Sequence, residues 1–95
     1  MAKGYWVLHI DVTDPAGFKD YAAAANVVFA DYQPTFLVGG GAYEAPEGNL
    51  KSRHVVLEFE TYEKAIECYN SDAYQKAVRL REPVSSCDMV ILEGK

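Results

Sequence analysis

One strand-to-helix unit occurs twice in this chain, and the repeat constrains the fold more than any other feature. Tyr5 to Tyr32 opens with alternating Trp6, Leu8, Ile10 and Val12 and runs through Asp14-Pro15 into a helical pattern. Arg53 to Tyr74 opens with Val55, Leu57 and Phe59 and runs through Thr61 into another. Asp14 and Thr61 are the expected N-caps, since each side-chain oxygen can accept from the unpaired backbone N–H groups of a first helical turn.

The alternation puts Trp6, Leu8, Ile10 and Val12 on one face of a first strand over about Tyr5–Val12, and Tyr5, Val7, His9 and Asp11 on the other. Pro15 suits the first helical position, where no N–H is needed. Phe18, Tyr21, Ala22, Ala25, Phe29 and Tyr32 then recur at helical spacing as one apolar stripe. The run Ala22 to Ala25 keeps that helix thin at its middle, which allows either close approach of a strand or room for a ligand. Pro34 ends the helix. Thr35 to Tyr43 is predicted as a second strand interrupted by Gly39-Gly40-Gly41, a run that lacks the Lys-Ser or Lys-Thr of a phosphate loop. A polar turn over Ala45 to Ser52 leads into a third strand, Arg53 to Glu60, with His54, Val56, Glu58 and Glu60 opposite its apolar face. Thr61 caps a short helix carrying Ala65, Ile66 and Tyr69. Ser71 caps a further stretch through Tyr74, Ala77 and Val78, Pro83 stops it, and Asp88 to Glu93 forms the last strand.

The order strand, helix, strand, strand, helix, strand is that of an α+β, ferredoxin-like βαββαβ fold: one domain over residues 1–95, an antiparallel sheet with two helices on one face. Its first and third strands meet at the centre, so His9, Asp11, His54 and Glu58 share the uncovered face with Tyr5, Val7 and Val56. At 95 residues the domain is short enough to gain by pairing, and a second copy is the expected cover for that face.

Hydrophobic content of 49% and aromatic content of 13% argue against disorder. Nine basic against 14 acidic residues give a net charge of −5 with no basic stripe, so nucleic acid is not an expected partner. The chain runs from Met1-Ala2-Lys3-Gly4 straight into a strand, with neither a signal-peptide core nor the ~20 apolar residues of a membrane span. A cytoplasmic protein is expected. Cys68 and Cys87 form neither a CxxC pair nor a zinc set and are expected to be reduced thiols; no metal or cofactor is expected.

The stretches Gly4-Tyr5-Trp6, Asp11-Val12-Thr13-Asp14-Pro15, Phe36-Leu37-Val38-Gly39-Gly40-Gly41 and Arg53-His54-Val55-Val56-Leu57-Glu58-Phe59 carry a resemblance. Ala65 to Tyr69-Asn70-Ser71 with Tyr74, Leu80-Arg81 and Ile91-Leu92-Glu93-Gly94 extend it over essentially the whole chain. As a set they resemble the bacterial family called domain of unknown function 1330. The resemblance implies membership of the dimeric α/β-barrel superfamily, in which two ferredoxin-like subunits pack sheet against sheet. Relatives there include cofactor-free monooxygenases, muconolactone-isomerase-like enzymes and haem-binding proteins, so it implies a fold and a homodimer but no single reaction.

Two constellations are candidates for chemistry. His9, His54 and Glu58, with Asp11 nearby, offer a general base and orienting carboxylates. Their simpler role is as polar residues of a dimer interface or wet barrel interior. Tyr21, Tyr69, Tyr74 and Arg81 offer aromatic bodies, hydroxyl tips and a cation suited to a small oxygenated acid, although aromatic residues at helical spacing ordinarily pack a core. Ser85, Ser86 and Cys87 lack the strand–turn–helix context of a nucleophile elbow. The expectation is a homodimer binding a small organic molecule in a pocket lined by Tyr, His and Arg. The alternatives are a cofactor-independent monooxygenase or isomerase with a His base, and a purely structural dimerisation module.

Overall fold

Residues 1–95 are described by a computed structural model. The first alternating run folds as β1 (Gly4–Val12), and Asp14 caps α1 (Pro15–Tyr32) by accepting from the Gly17 N–H at 3.3 Å. Gln33 closes α1 in the left-handed region at φ 50°, its N–H donating to the Phe29 carbonyl. The chain then forms β2 (Thr35–Gly39), β3 (Arg53–Phe59), α2 (Tyr62–Asn70), α3 (Asp72–Arg81), a single 3-10 turn (Glu82–Val84) and β4 (Ser85–Glu93). Thr61 and Ser71 cap α2 and α3 through their hydroxyls. The sheet order is β2-β3-β1-β4, antiparallel throughout, with β1 and β3 at its centre. No helix is long and apolar enough to cross a membrane.

Two strand boundaries differ from the sequence reading by more than one residue. β2 stops at Gly39 because Gly40 and Gly41 take φ of 87° and 95°, which turn the chain out of the pleat. β4 begins at Ser85 because the turn holding Pro83 delivers the chain directly to the edge of β1, where Ser85 pairs with Val12.

Trp6, Leu8, Ile10, Leu57 and Phe59 from the sheet pack with Tyr21, Ala25, Val28, Ala65, Tyr74 and Ala77 from the helices as one core. Gly4 lets α2 approach the sheet: a Cβ there would lie 2.7 Å from both the Ala65 Cβ and the Thr61 carbonyl. The helices thus cover the even-numbered face of β1 and leave the odd-numbered one open.

The long loop between β2 and β3 is pinned at its end. Asp11 accepts from the Ser52 N–H and from its hydroxyl, both at 2.8 Å, and the Lys51 Nζ donates to Asp88 at 2.6 Å. The Ser52 hydroxyl and N–H hold the Asp11 carboxyl below its ordinary value. A depressed folded value stabilises the fold above the unfolded value, near 4, and that stabilisation disappears as pH falls through the folded one. Asp11→Asn is therefore expected to lower the melting temperature at pH 6, and the gap to wild type should be smaller at pH 3. Thermal scans of both proteins at the two pH values check this; a gap independent of pH would contradict it.

Candidate functional site

The helix-covered face brings three of the four proposed ligand-binding residues into one buried network. Tyr21 on α1 and Tyr74 on α3 share a hydroxyl–hydroxyl hydrogen bond of 2.7 Å, and Arg81 Nη1 donates to the Tyr74 hydroxyl at 3.1 Å. The Arg81 guanidinium carbon lies 5.4 Å from the centre of the Tyr21 ring. Burial first, then the neighbouring Tyr21, pushes the Tyr74 hydroxyl well above its ordinary value, so it is neutral at every physiological pH. Tyr69 packs its ring on Trp6 and Tyr74 at 6.0 and 5.7 Å, while its carbonyl accepts from Gln75; its hydroxyl does not join the network.

An apolar cleft of about 90 Å³ opens between α1 and the sheet. Trp6 and Leu57 form its floor, Tyr21 and Ala22 one wall, and Phe36 and Arg53 the other. Of the predicted Tyr21, Tyr69, Tyr74 and Arg81, only Tyr21 lines it; the other three lie outside the lining. The small side chains of Ala22 and Ala25 leave the space. Phe36 and Arg53 were not among the predicted ligand-binding residues. Parity was the available signal, because Arg53 alternates in phase with Val55 and Leu57, and Phe36 pairs in register with Leu57.

His9 and His54 lie on the opposite, open face, away from the cleft that Tyr21 and Arg53 line. They are cross-strand partners whose Nδ1 atoms are 2.7 Å apart, one donating to the other, and Tyr43 packs its ring on His54 at 4.6 Å. His54 Nε2 is buried without a hydrogen-bond partner. Glu58 does not join the pair. Val56 separates it from His54 on that face, and its carboxylate accepts from the Tyr5 hydroxyl at 2.9 Å and faces Lys3 at 3.8 Å. Asp11 is likewise turned away to Ser52. The histidines are gathered; the carboxylates expected to orient them are held elsewhere. Beside the pair, Val38, Val56, Val7 and Val90 stand in register across all four strands as an apolar row.

No three His, Cys, Asp or Glu side chains are grouped to hold a metal ion. Both cysteines are free thiols; burial raises Cys68 to about 12 and pushes Cys87 up as well.

Residues 3–95 match the family described as domain of unknown function DUF1330. No curated protein matches the sequence. Among solved structures, a protein of unknown function from Rhodopseudomonas palustris is 12% identical with a TM-score of 0.75, covering 99% of this chain and 83% of that one. SnoaB from Streptomyces nogalater, a cofactor-independent oxygenase, is 13% identical with a TM-score of 0.67, covering 100% and 95%. A dimeric ferredoxin-like protein of unknown function from Thermobifida fusca is 11% identical with a TM-score of 0.65, covering 97% and 91%. At these identities the likeness carries the ferredoxin-like fold.

Proposed function

We propose, for this chain, which belongs to the DUF1330 family, that it acts as a homodimer binding one small organic molecule in the cleft between α1 and the sheet. The observation that carries this reading is the lining: 11 of its 13 residues are hydrophobic, and the exceptions are Asn26 and Arg53. An apolar slot with a few placed polar groups is the ordinary design of a small-molecule site. About 90 Å³ accepts one ring or a short branched chain. Arg53 offers a cation to an oxygen-bearing substituent, and the Tyr21 ring faces the apolar body. Dimerisation is supported by the valine row on the open face and by the dimeric neighbour of the same fold.

Phenol and benzoate are suitable probes in ligand-observed NMR. Ala22→Leu fills the cleft and is expected to abolish binding of both. Arg53→Gln is expected to weaken benzoate about tenfold, the equivalent of one modest charge-assisted hydrogen bond, and to leave phenol unchanged. Unaltered binding in Ala22→Leu would sink the proposal.

A second reading rests on the His9–His54 pair and on the fold shared with SnoaB. There one imidazole takes a proton from an activated substrate carbon on the open face, as a cofactor-independent oxygenase or isomerase requires, and the partner subunit walls the site. That chemistry belongs to a different face from the cleft, so loss of turnover in a His9→Ala/His54→Ala double variant, with phenol binding retained, would separate the two readings.

A further inference from the structure

Arg81 is buried, with 7% of its surface exposed, yet none of the three ion pairs of the chain includes it. The groups its guanidinium meets carry no negative charge: it donates to the neutral Tyr74 hydroxyl and lies over the Tyr21 ring, and the nearby Cys87 thiol is held protonated by burial. A guanidinium removed from water without a counter-ion is costly, and proteins ordinarily supply a carboxylate or leave access for an anion. Access is present here. A cavity of about 230 Å³, separate from the apolar cleft, lies where the end of α3 meets β4 and is lined by Arg81, Glu82, Ser85 and Cys87. Ser85 donates its hydroxyl to the Arg81 carbonyl at 2.9 Å, which ties the end of α3 to the start of β4 beside the cavity.

We propose that this cavity is a small-oxyanion site in which the Arg81 guanidinium receives a carboxylate or phosphate group beside Ser85 and Cys87. The fork of the guanidinium matches two oxygens of such a group, and the Cys87 thiol supplies a further weak donor. Glu82, exposed on the 3-10 turn, stands at the same cavity as a like charge that competes with the anion. The chain as a whole carries a net charge of −5, so uptake of an anion has to come from this local cation rather than from the overall field.

The test is an NMR titration of the full chain at pH 7 with sodium acetate and with sodium phosphate, ionic strength being held constant with sodium chloride. The Arg81 Nε–H and the Ser85 and Cys87 amides are expected to shift saturably with a millimolar midpoint. Acetate saturating more tightly than phosphate would identify a carboxylate site, and the reverse a phosphate site. Glu82→Gln is expected to tighten either anion about threefold by removing the like charge. Arg81→Gln should abolish the titration. Because that change also strips Tyr74 of its donor, Cys87→Asp provides an independent variant: a carboxylate placed on the cavity should raise the melting temperature and make the protein indifferent to added anion. Ala22→Leu, which blocks only the apolar cleft, should leave the titration unchanged, so the two sites fail separately. A linear response matched by chloride, or a titration abolished by Ala22→Leu, would overturn the proposal.

Discussion

Truncating Trp6 to alanine is expected to lower the unfolding free energy by about 3–5 kcal/mol, the range for removing a large aromatic from a packed core. Trp6 has 0% of its surface exposed, and four aromatic rings, those of Phe29, Phe59, Tyr69 and Tyr74, lie with centroids between 4.8 and 6.0 Å from its own. Its indole N–H donates to the Ala65 carbonyl at 3.0 Å, tying the central strand to α2. The alanine variant loses the packing between the sheet and the helices, and its neighbours are poorly placed to fill the void, because Tyr74 already packs against both Phe29 and Tyr69. Trp6→Phe keeps one ring and loses the hydrogen bond, so it should recover part of the loss but not all of it. The expected cost is a large fraction of the ~5–15 kcal/mol that stabilises a domain of ordinary size. Urea unfolding followed by far-UV circular dichroism at fixed protein concentration measures it; the variant contains no tryptophan, which rules out fluorescence. A loss under about 1 kcal/mol, what a typical point mutation costs, would mean that the rings repack and that the aromatic cluster is not the keystone of the core.

The features legible in the sequence are those whose physics is local. Asp14, Thr61 and Ser71 cap the helices because a short side-chain oxygen one step before a helix has few other partners. Period-two alternation assigned the two faces of β1 and β3, and with them the separation of His9 and His54 from the core. The same parity separates the histidines from Tyr21, since one set lies on the open face and the other packs beneath a helix. The partners of Glu58 were not readable, because the choice among His54, Tyr5 and Lys3 depends on the spacing between rows on a twisted sheet. The cleft was readable only as thinness at Ala22 to Ala25. Its existence depends on how the volumes of residues from α1, β1, β2 and β3 add up, and no spacing in the sequence records that sum. The isolation of Arg81 is of the same kind: showing that a buried cation lacks a counter-ion requires the position of every carboxylate.

Introducing a charge at Val7 is expected to convert the proposed dimer into a folded monomer. Val7 sits between Val56 on β3 and Val90 on β4, with Val38 extending the row on β2, so it marks the middle of the apolar strip across the open face. Val38 and Val90 are 41% and 44% exposed in the isolated chain, an arrangement that water penalises and a second copy relieves. In a two-fold interface each substitution occurs twice, and Val7→Asp would bring two carboxylates into one desolvated strip where neither finds a cation. Like charges in such a position cost several kcal/mol, enough to weaken association by about a hundredfold or more. The fold itself should survive, because Val7 points away from Trp6, Leu8 and Ile10 and contributes nothing to the core beneath the helices. Sedimentation equilibrium of the wild type should give twice the 10.5 kDa chain mass, and of Val7→Asp the chain mass alone, with unchanged far-UV circular dichroism. Glu47→Lys, an exposed change in the long loop, serves as a charge control and should leave the dimer intact. A Val7→Asp protein that sediments as a dimer would place the subunit contact on another surface. The His9–His54 pair would then face solvent instead of a partner, and the proton-transfer reading would lose the wall that the second subunit supplies.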